Sequence, residues 1–532
     1  MNDFQLAISA EFGSVAELVH LHALVAPDRL ALSESNSGRT LTYGELDTLM
    51  DRIAASLQRD GVKAGESIAI CASSSVSYAA AFLGALRAGV AVAPLAPGST
   101  PASLVRMIDD AGARIVFTDA SAADVVGPAK DGAIPRVALD NSVVAKSFDA
   151  WLATTGARPV AVTPEPTWPF NIIYSSGTTG EPKGIVQAFA MRWAHVRRAA
   201  NYHYGDATVT LLSTPLYSNT TLVVFFPTIA FGGHVVLMPK FDAADYLQLA
   251  EKYRVTHTML VPVQYQRLMA YPAFAAHDLS SFAFKFSTSA PFAAALKADV
   301  LKRWPGGLIE FYGMTEGGGT VILDAHLHPD KLHTVGRPAE GSDIRLIDDD
   351  GNELTRDDTT VSGEVVGHSA GMMTGYHGQP EKTREAEWFD ATGKRFIRTG
   401  DVGRFDEDGF LTLFDRKKDM IISGGFNVFP SDLEAVLRAH PAVADVAVVG
   451  VASEQWGETP VAYVVRRADD TSSAETILQW ANAQLGKTQR VASLTFIDEL
   501  PRSAIGKVLK RELRELMLSS PFMSNRTPAG CA

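Results

Sequence analysis

At 532 residues the chain is too long for one ordinary core, and its length calls for roughly two to four domains, or one large composite with a small unit attached. Hydrophobic residues at 46% and charged residues at 20% are globular proportions, which argue against general disorder and against a coiled coil. A net charge of -12 argues against nucleic acid or an anionic membrane as the main partner, and Cys71 and Cys531, the two cysteines, leave no disulfide framework or cysteine-rich zinc site.

Residues 1–12, MNDFQLAISAEF, have no basic stretch leading into an apolar run, so no secretory signal is expected and a reducing cytoplasm fits. Between residues 30 and 119, strand-like runs (SIAICA, VAVAPLA, RIVFTD) alternate with helical ones such as SYAAAFLGALRAG. That alternation predicts an α/β layer with a largely parallel sheet. The apolar run PFNIIY then leads into residues 174–184, YSSGTTGEPKG, a strand running into a loop suited to polyphosphate. Gly177 and Gly180 let the backbone turn and bring its N–H groups to an anion, Ser175, Ser176, Thr178 and Thr179 add hydroxyls, and Lys183 adds charge. A mobile linker has the same composition. A Walker A loop is disfavoured, because Lys183 lies between Pro182 and Gly184.

The alternation resumes with VTLLSTPL, HVVLMP, HTMLVP, FAFKFSTSA and LIEFYG as strands, helices lying between them. Residues 220–238 are nearly uncharged and long enough to span a membrane, but Pro227 and the Gly232, Gly233 pair favour a buried helix followed by a strand. Near residue 344 the texture changes to short strands with Asp/Gly turns (IRLIDDDGNEL, GEVVGH, VGRFDEDGFLTLF), which predict hairpins. The charged run DRKKD, residues 415–419, separates this part from a small α/β pattern over residues 420–518. We place the large domain at 1–415, a hinge at 416–419, the small domain at 420–518 and a frayed polar tail at 519–532; a plain solvated loop is the alternative for the charged run.

Four further stretches carry chemistry. FYGMTE, residues 311–316, ends a predicted strand, where ligands of open α/β sheets gather, and Glu316 offers the carboxylate that a hard dication prefers. RTGD ends at Asp401 shortly before DRKKD and then Ser423, Gly424 and Gly425; in PRSAIGK, Lys507 follows a tight corner and precedes the helical run VLKRELREL. Taken singly, each is also an ordinary turn, cap or exposed lysine.

In this order the motifs closely resemble those of the adenylate-forming (ANL) superfamily, nearest to the acyl-CoA synthetases that activate aryl and fatty acids, over roughly residues 16–516. The resemblance implies an α/β fold: a large N-terminal composite of two α/β subdomains with mostly parallel sheets plus a small β-barrel-like subdomain, and a small mobile C-terminal α+β domain. It implies ATP, Mg2+ and coenzyme A as cofactors, no nucleic acid, no integral membrane segment, and a monomer or homodimer. In the family's terms, residues 175–180 and Lys183 hold the phosphates, Tyr312 packs on the adenine, and Ser289, Ala290, Gly313 and Met314 also bind ATP or AMP. Thr315 touches the phosphates, Glu316 holds Mg2+, Asp401 takes the ribose hydroxyls and Arg416 adds a charged contact to ribose or phosphate. Lys507, Thr178 and Glu316 would be catalytic, Lys507 bridging the substrate carboxylate and the α-phosphate. Lys418 would be the pivot of domain rotation, residues 423–425 a narrow pantetheine tunnel, and Trp456 and Arg490 contacts to the CoA nucleotide.

The acyl pocket falls on Tyr217, Ser218, Asn219, Gly317 and Gly318. Family members commonly carry histidine where this chain has Ser218, which weakens substrate analogies. Gly317, Gly318 and Gly319 either leave room for a wider acyl group or serve only to turn the chain. The implied reaction joins a carboxylic acid, aromatic or medium-length, to CoA through an acyl-adenylate. Loading of a carrier protein's phosphopantetheine and a non-catalytic nucleotide-binding homologue are the alternatives.

Overall fold

The segments that read as uninterrupted apolar runs, Ser67–Cys71 and Ala91–Leu95, are buried along their whole length, as strands covered on both faces must be. In the computed structural model, which describes residues 3–122, 134–140, 142, 145–175, 182–355, 358–423, 426–453, 455–468, 470–486, 489–503 and 506–519, they sit side by side in an eight-stranded sheet. Its parallel part runs Pro169–Ser175, Ala91–Leu95, Ser67–Cys71, Ala113–Thr118, Arg136–Ala138, Lys146–Ser147. Lys183–Ala188 and Gly375–Tyr376 extend the other edge antiparallel.

A second sheet of nine strands has a parallel centre in the order Gly307–Tyr312, Phe284–Ser287, His257–Leu260, Val209–Leu212, His234–Leu237, Leu30–Glu34. Residues 220–238 become the helix Asn219–Ala230, with Pro227 inside it, and the strand His234–Leu237. No helix among the described residues is long and apolar enough to cross a membrane.

One continuous apolar core joins both sheets, through Ile68, Val92, Leu237, Met259 and Ile309, to the helices Tyr43–Arg59, Val76–Arg87, Phe189–Arg198 and Asn219–Ala230. Local signals place these helices. Thr42 and Glu45 close a capping box on Tyr43–Arg59, and Ser75 caps Val76–Arg87, which is buried at every position but Arg87.

The chain divides into two compact units, residues 1–344 with 366–399, and residues 345–365 with 400–532. In the smaller unit the expected hairpins appear: Leu346 and Ile347 pair with Leu354 and Glu353, and residues 401–405 pair with Leu411–Arg416. Beyond them Phe426–Val428, Ile421–Ser423, Gly457–Arg466 and Val443–Ser453 form an antiparallel sheet, with Ser493–Phe496 added in parallel. Helices Pro430–Arg438 and Ala474–Asn482 cover one apolar side through Leu433, Leu437, Ile477 and Ala481. Helix Lys510–Ser519 brings Leu513 to a second cluster with Val449, Val461 and Tyr463.

One buried ion pair ties the strand Gly307–Tyr312 to the helix Ala294–Arg303. Lys297, 1% exposed, pairs with Glu310, 5% exposed, and also donates to the carbonyls of Leu332 at 2.8 Å and Thr334 at 3.0 Å. Burial pushes the Glu310 carboxyl up, and Lys297 opposes that shift. Removing one partner leaves a buried charge unpaired. Lys297→Met is therefore expected to cost about 3–5 kcal/mol in a urea titration, and Lys297→Met with Glu310→Leu to recover part of the loss; a single variant as stable as the parent would show that the pair holds nothing.

Candidate active site

Ligands of open parallel sheets collect beyond the carboxyl ends of the strands. In the nine-stranded sheet those ends carry residues 213–219 after Val209–Leu212, Ser289 and Ala290 after Phe284–Ser287, and residues 313–316 after Gly307–Tyr312. Ser289 adopts φ +80°, a conformation costing a residue other than glycine about 1–3 kcal/mol, and its hydroxyl shares a 2.6 Å hydrogen bond with that of Thr220. Tyr312 is half-buried, Gly313 exposed, and Met314 packs against the cluster of Ile185, Met373, Tyr376 and Ile397.

Strands Pro169–Ser175 and Lys183–Ala188 flank the stretch 174–184 and pair antiparallel, with Ser175 opposite Lys183 and Tyr174 opposite Gly184. The Tyr174 hydroxyl donates to Asp110 at 2.6 Å. Ser176, Gly177, Thr178, Thr179 and Gly180 lie outside the described residues, as does the side chain of Ser175.

Glu316 is held twice by residues of the same unit. Its carbonyl accepts from Met373 N–H at 2.7 Å, and its Oε1 accepts from the Tyr376 hydroxyl at 2.9 Å. Lys183 Nζ stands 4.9 Å from the centre of the Tyr376 ring, so one aromatic side chain connects the first residue of strand Lys183–Ala188 to the carboxylate. Burial and then Glu316 push the Tyr376 phenol up, so it stays a donor. No group of three or more metal-ligating side chains occurs among the described residues. A single carboxylate with one oxygen fixed by a phenol suits Mg2+, which takes one or two protein carboxylates and completes its shell from phosphate and water.

The three glycines after Glu316 leave no empty space. A Cβ on Gly317 (φ +72°) would lie 1.8 Å from the Gly371 carbonyl oxygen, one on Gly318 2.7 Å from Ile397, and one on Gly319 (φ +100°) 2.5 Å from Ile344. Of the two readings of these glycines, room for a wider acyl group is excluded. These glycines let two backbone segments touch and turn.

A polar cluster that the sequence reading passed over lies next to Asn219. Arg192, 1% exposed on helix Phe189–Arg198, donates from Nε to Asn171 at 2.9 Å, and from Nη2 to Asn219 at 2.7 Å and to Gln187. Gln187 in turn donates to the Thr315 carbonyl at 2.7 Å and accepts from Asn171 at 2.9 Å. Burial lowers the Arg192 pKa to about 9. The signal was available: Arg192 falls on the same helical stripe as Phe189, Trp193 and Val196, all buried. Ser218 is buried, and Tyr217 is half-buried with its phenol pushed up by burial and by Cys71.

In the smaller unit, Asp401 faces Arg416 across the hairpin at 3.2 Å. The run 415–419 is not a solvated loop. Asp415 accepts from Ser431 N–H and lies 3.7 Å from Lys510, Lys417 pairs with Asp349 at 2.7 Å, and Asp419 pairs with Arg514 at 2.9 Å. Lys418 alone in the run shows no ion pair among the described residues, and its residue is exposed.

Lys507 follows Gly506 (φ +76°). The residue is exposed as a whole, yet burial around its ammonium, then Arg416, push its pKa down to about 8, against the pull of Asp401. Ser423 is buried, Trp456 is 42% exposed in the turn before Gly457–Arg466, and Arg490 is exposed. Gly424 and Gly425 lie outside the described residues.

The sequence profile of the AMP-binding enzyme family matches residues 20–377, and that of the AMP-binding enzyme C-terminal domain matches residues 432–507. A 4-coumarate–CoA ligase of Oryza sativa subsp. japonica is 31% identical over 94% of this chain and 91% of its own. A long-chain-fatty-acid–CoA ligase of Mycobacterium tuberculosis is 30% identical over 94% and 98%. The crystal structure of ATP-bound MatB from Rhodopseudomonas palustris superposes with a TM-score of 0.82 at 29% identity, covering 94% of this chain and 99% of that one.

Gly317 offers a direct check on the packed loop. Gly317→Ala is expected to destabilise the protein by at least about 2 kcal/mol, read as a lower melting temperature, because the methyl meets a carbonyl oxygen and φ is left-handed. A loop with space beside it would accept the methyl without loss.

Proposed function

The chain belongs to the AMP-binding enzyme family, and on that premise we propose that it is an AMP-forming acid–CoA ligase acting on an aromatic or medium-length carboxylic acid. The observation that carries the proposal is the joining of Glu316 to Lys183 through Tyr376, beside the strand end that bears Tyr312. Such a site sets a carboxylate for a metal, a cation for phosphate and an aromatic face for a base within one neighbourhood.

In the proposed reaction a carboxylate oxygen attacks the α-phosphorus of ATP, the bond to the β-phosphate oxygen breaks, and pyrophosphate leaves. The CoA thiolate then attacks the acyl carbonyl and AMP departs with the bridging oxygen. The first step brings two anions together, which needs cations; the second works because AMP is a far better leaving group than hydroxide. We assign Lys183 and the loop residues Ser175, Ser176, Gly177, Thr178, Thr179 and Gly180 to the phosphates, and Tyr312 with Ser289, Ala290, Gly313 and Met314 to the adenine. Asp401 and Arg416 would take the ribose, and Lys507 the charge at the reacting oxygens. Mg2+ on Glu316 would neutralise the triphosphate. We further assign Lys418 as the pivot that exchanges Lys507 for the CoA contacts at Ser423, Gly424, Gly425, Trp456 and Arg490 between steps. Among the described residues Lys418 makes no ion pair within 4 Å, in a run whose other charges are tied, which supports that role.

The test is pyrophosphate release with a panel of acids, with and without CoA. Release followed by AMP and acyl-CoA formation is expected. Release without CoA consumption would point to a carrier-protein thiol as acceptor, and no release with any acid would remove the enzymatic reading. Lys507→Ala is expected to lower acyl-AMP formation about 100-fold or more while largely sparing CoA transfer from supplied acyl-AMP. Equal loss of both would count against one site serving two poses.

The same lysine predicts a pH profile. With its pKa depressed to about 8, the ammonium is charged well below that pH and is lost as pH rises through it. Acyl-AMP formation at limiting ATP, measured without CoA, is therefore expected to fall on a basic limb near that value, and Lys507→Arg to move the limb upward whatever its residual rate.

A further inference from the structure

Helix Phe189–Arg198 presents Arg192, His195 and Arg198 three residues apart, on one face. All three meet the segment beyond Glu316 or its neighbours. Arg192 reaches the Thr315 carbonyl through Gln187 and Asn219 directly, while Arg198 donates to the Thr320 hydroxyl at 3.2 Å. His195 stands beside Gly371, whose carbonyl is the one packed on Gly317.

The cluster is incomplete in a specific way. Every oxygen that Arg192 touches is a neutral amide, and its Nη1, shut off from solvent, has no acceptor among the described residues. The same holds for His195 Nδ1. No carboxylate among the described residues pairs with Arg192 or Arg198. Elsewhere in the same unit a buried cation is given an answer: Lys297 has Glu310, and Arg87 has Asp47 and Asp51. Lys285 lacks an acid but is bound by two carbonyls, and burial brings its pKa to about 7, so it can shed its proton. A guanidinium cannot take that route at neutral pH. His195, pushed down to about 3 by burial and by the two arginines, is a neutral donor and acceptor beside a fixed positive charge.

We propose that Arg192 and His195 form the far end of the acyl pocket, and that the acid this enzyme activates carries a second carboxylate there: the substrates are dicarboxylic acids. The inference rests on the acid-activating reading above and names its substrate class. One carboxylate bound at Arg192 Nη1 and, in its Nδ1–H tautomer, at His195 Nδ1 satisfies two buried nitrogens and supplies the counter-charge that the surrounding amides do not. Asn171, Gln187 and Asn219 then act as positioning residues, holding the guanidinium plane by its remaining N–H groups.

The experiment compares pyrophosphate release for chain-matched pairs, each a dicarboxylic acid, short, medium or long, aliphatic or aromatic, against the monoacid and the half-ester of the same skeleton. The best diacid is expected to exceed its matched monoacid and half-ester by at least about 30-fold in kcat/KM, mostly through KM. Arg192→Leu is expected to erase that ratio, and Arg192→Lys to keep part of it. A general structural role for Arg192 would lower all three rates together and leave the ratio unchanged. Preference for monoacids in the parent enzyme would overturn this proposal while leaving acid activation intact. Absence of release with every acid would overturn the reading beneath it, and this proposal with it. Should Arg192→Leu fail to fold, the diacid-to-monoacid ratio of the parent enzyme still decides.

Discussion

Backbone lies against backbone where residues 316–319 meet residues 367–371, and the site depends on that contact. With Gly317 set on the Gly371 carbonyl and Gly367 set on that of Gly318, no side chain fits between the segments. The distance is therefore fixed by main chain, which has few ways to adjust. Glu316 enters the contact with its own carbonyl bonded to Met373 and its carboxylate to Tyr376, so its orientation follows from the packing. A carboxylate placed this way is held in one orientation by the fold itself.

Charge in the larger unit is handled in two contrasting ways. Glu310, on the strand that leads to Tyr312, is matched by a lysine at full burial, and the match secures the strand against its helix. Arg192 is equally buried and is surrounded by amides that orient it without neutralising it. Desolvating a charge is costly unless it is paired. The first arrangement is complete within the fold. The second leaves Nη1 without an acceptor among the described residues, which the proposed second carboxylate would supply.

The smaller unit applies the same economy of charge to a short segment. Four of the five side chains of 415–419 are engaged, Asp415 with Lys510, Arg416 with Asp401, Lys417 with Asp349 and Asp419 with Arg514, and these partners come from both before and after the run. A segment so tied is positioned by its neighbours and not by its own backbone preference. Ion pairs at half-exposed positions are individually weak, which lets such an arrangement hold one pose without locking it.

The alternation of apolar runs and the spacing of glycines were enough to place the parallel strands, the helix Asn219–Ala230 with the strand after it, the hairpins of the smaller unit and the strand end at Tyr312. Each of these is set by neighbours a few residues away, through pleat, helical period or turn chemistry. The role of Gly317–Gly319 stayed open because what occupies the space beside a glycine comes from segments far along the chain, at Ile344, Gly367, Gly371 and Ile397. Tyr376 and Glu316 are 60 residues apart, and Arg192 and Asn219 are 27 apart. An arginine on an apolar stripe signals that a buried polar group needs partners, but only the crossing of strands and helices decides which partners are present and which one is missing. Local pattern thus determined the elements and the motifs on them, while topology, by bringing distant segments within hydrogen-bond reach, decided the geometry of the carboxylate and the unmatched charge.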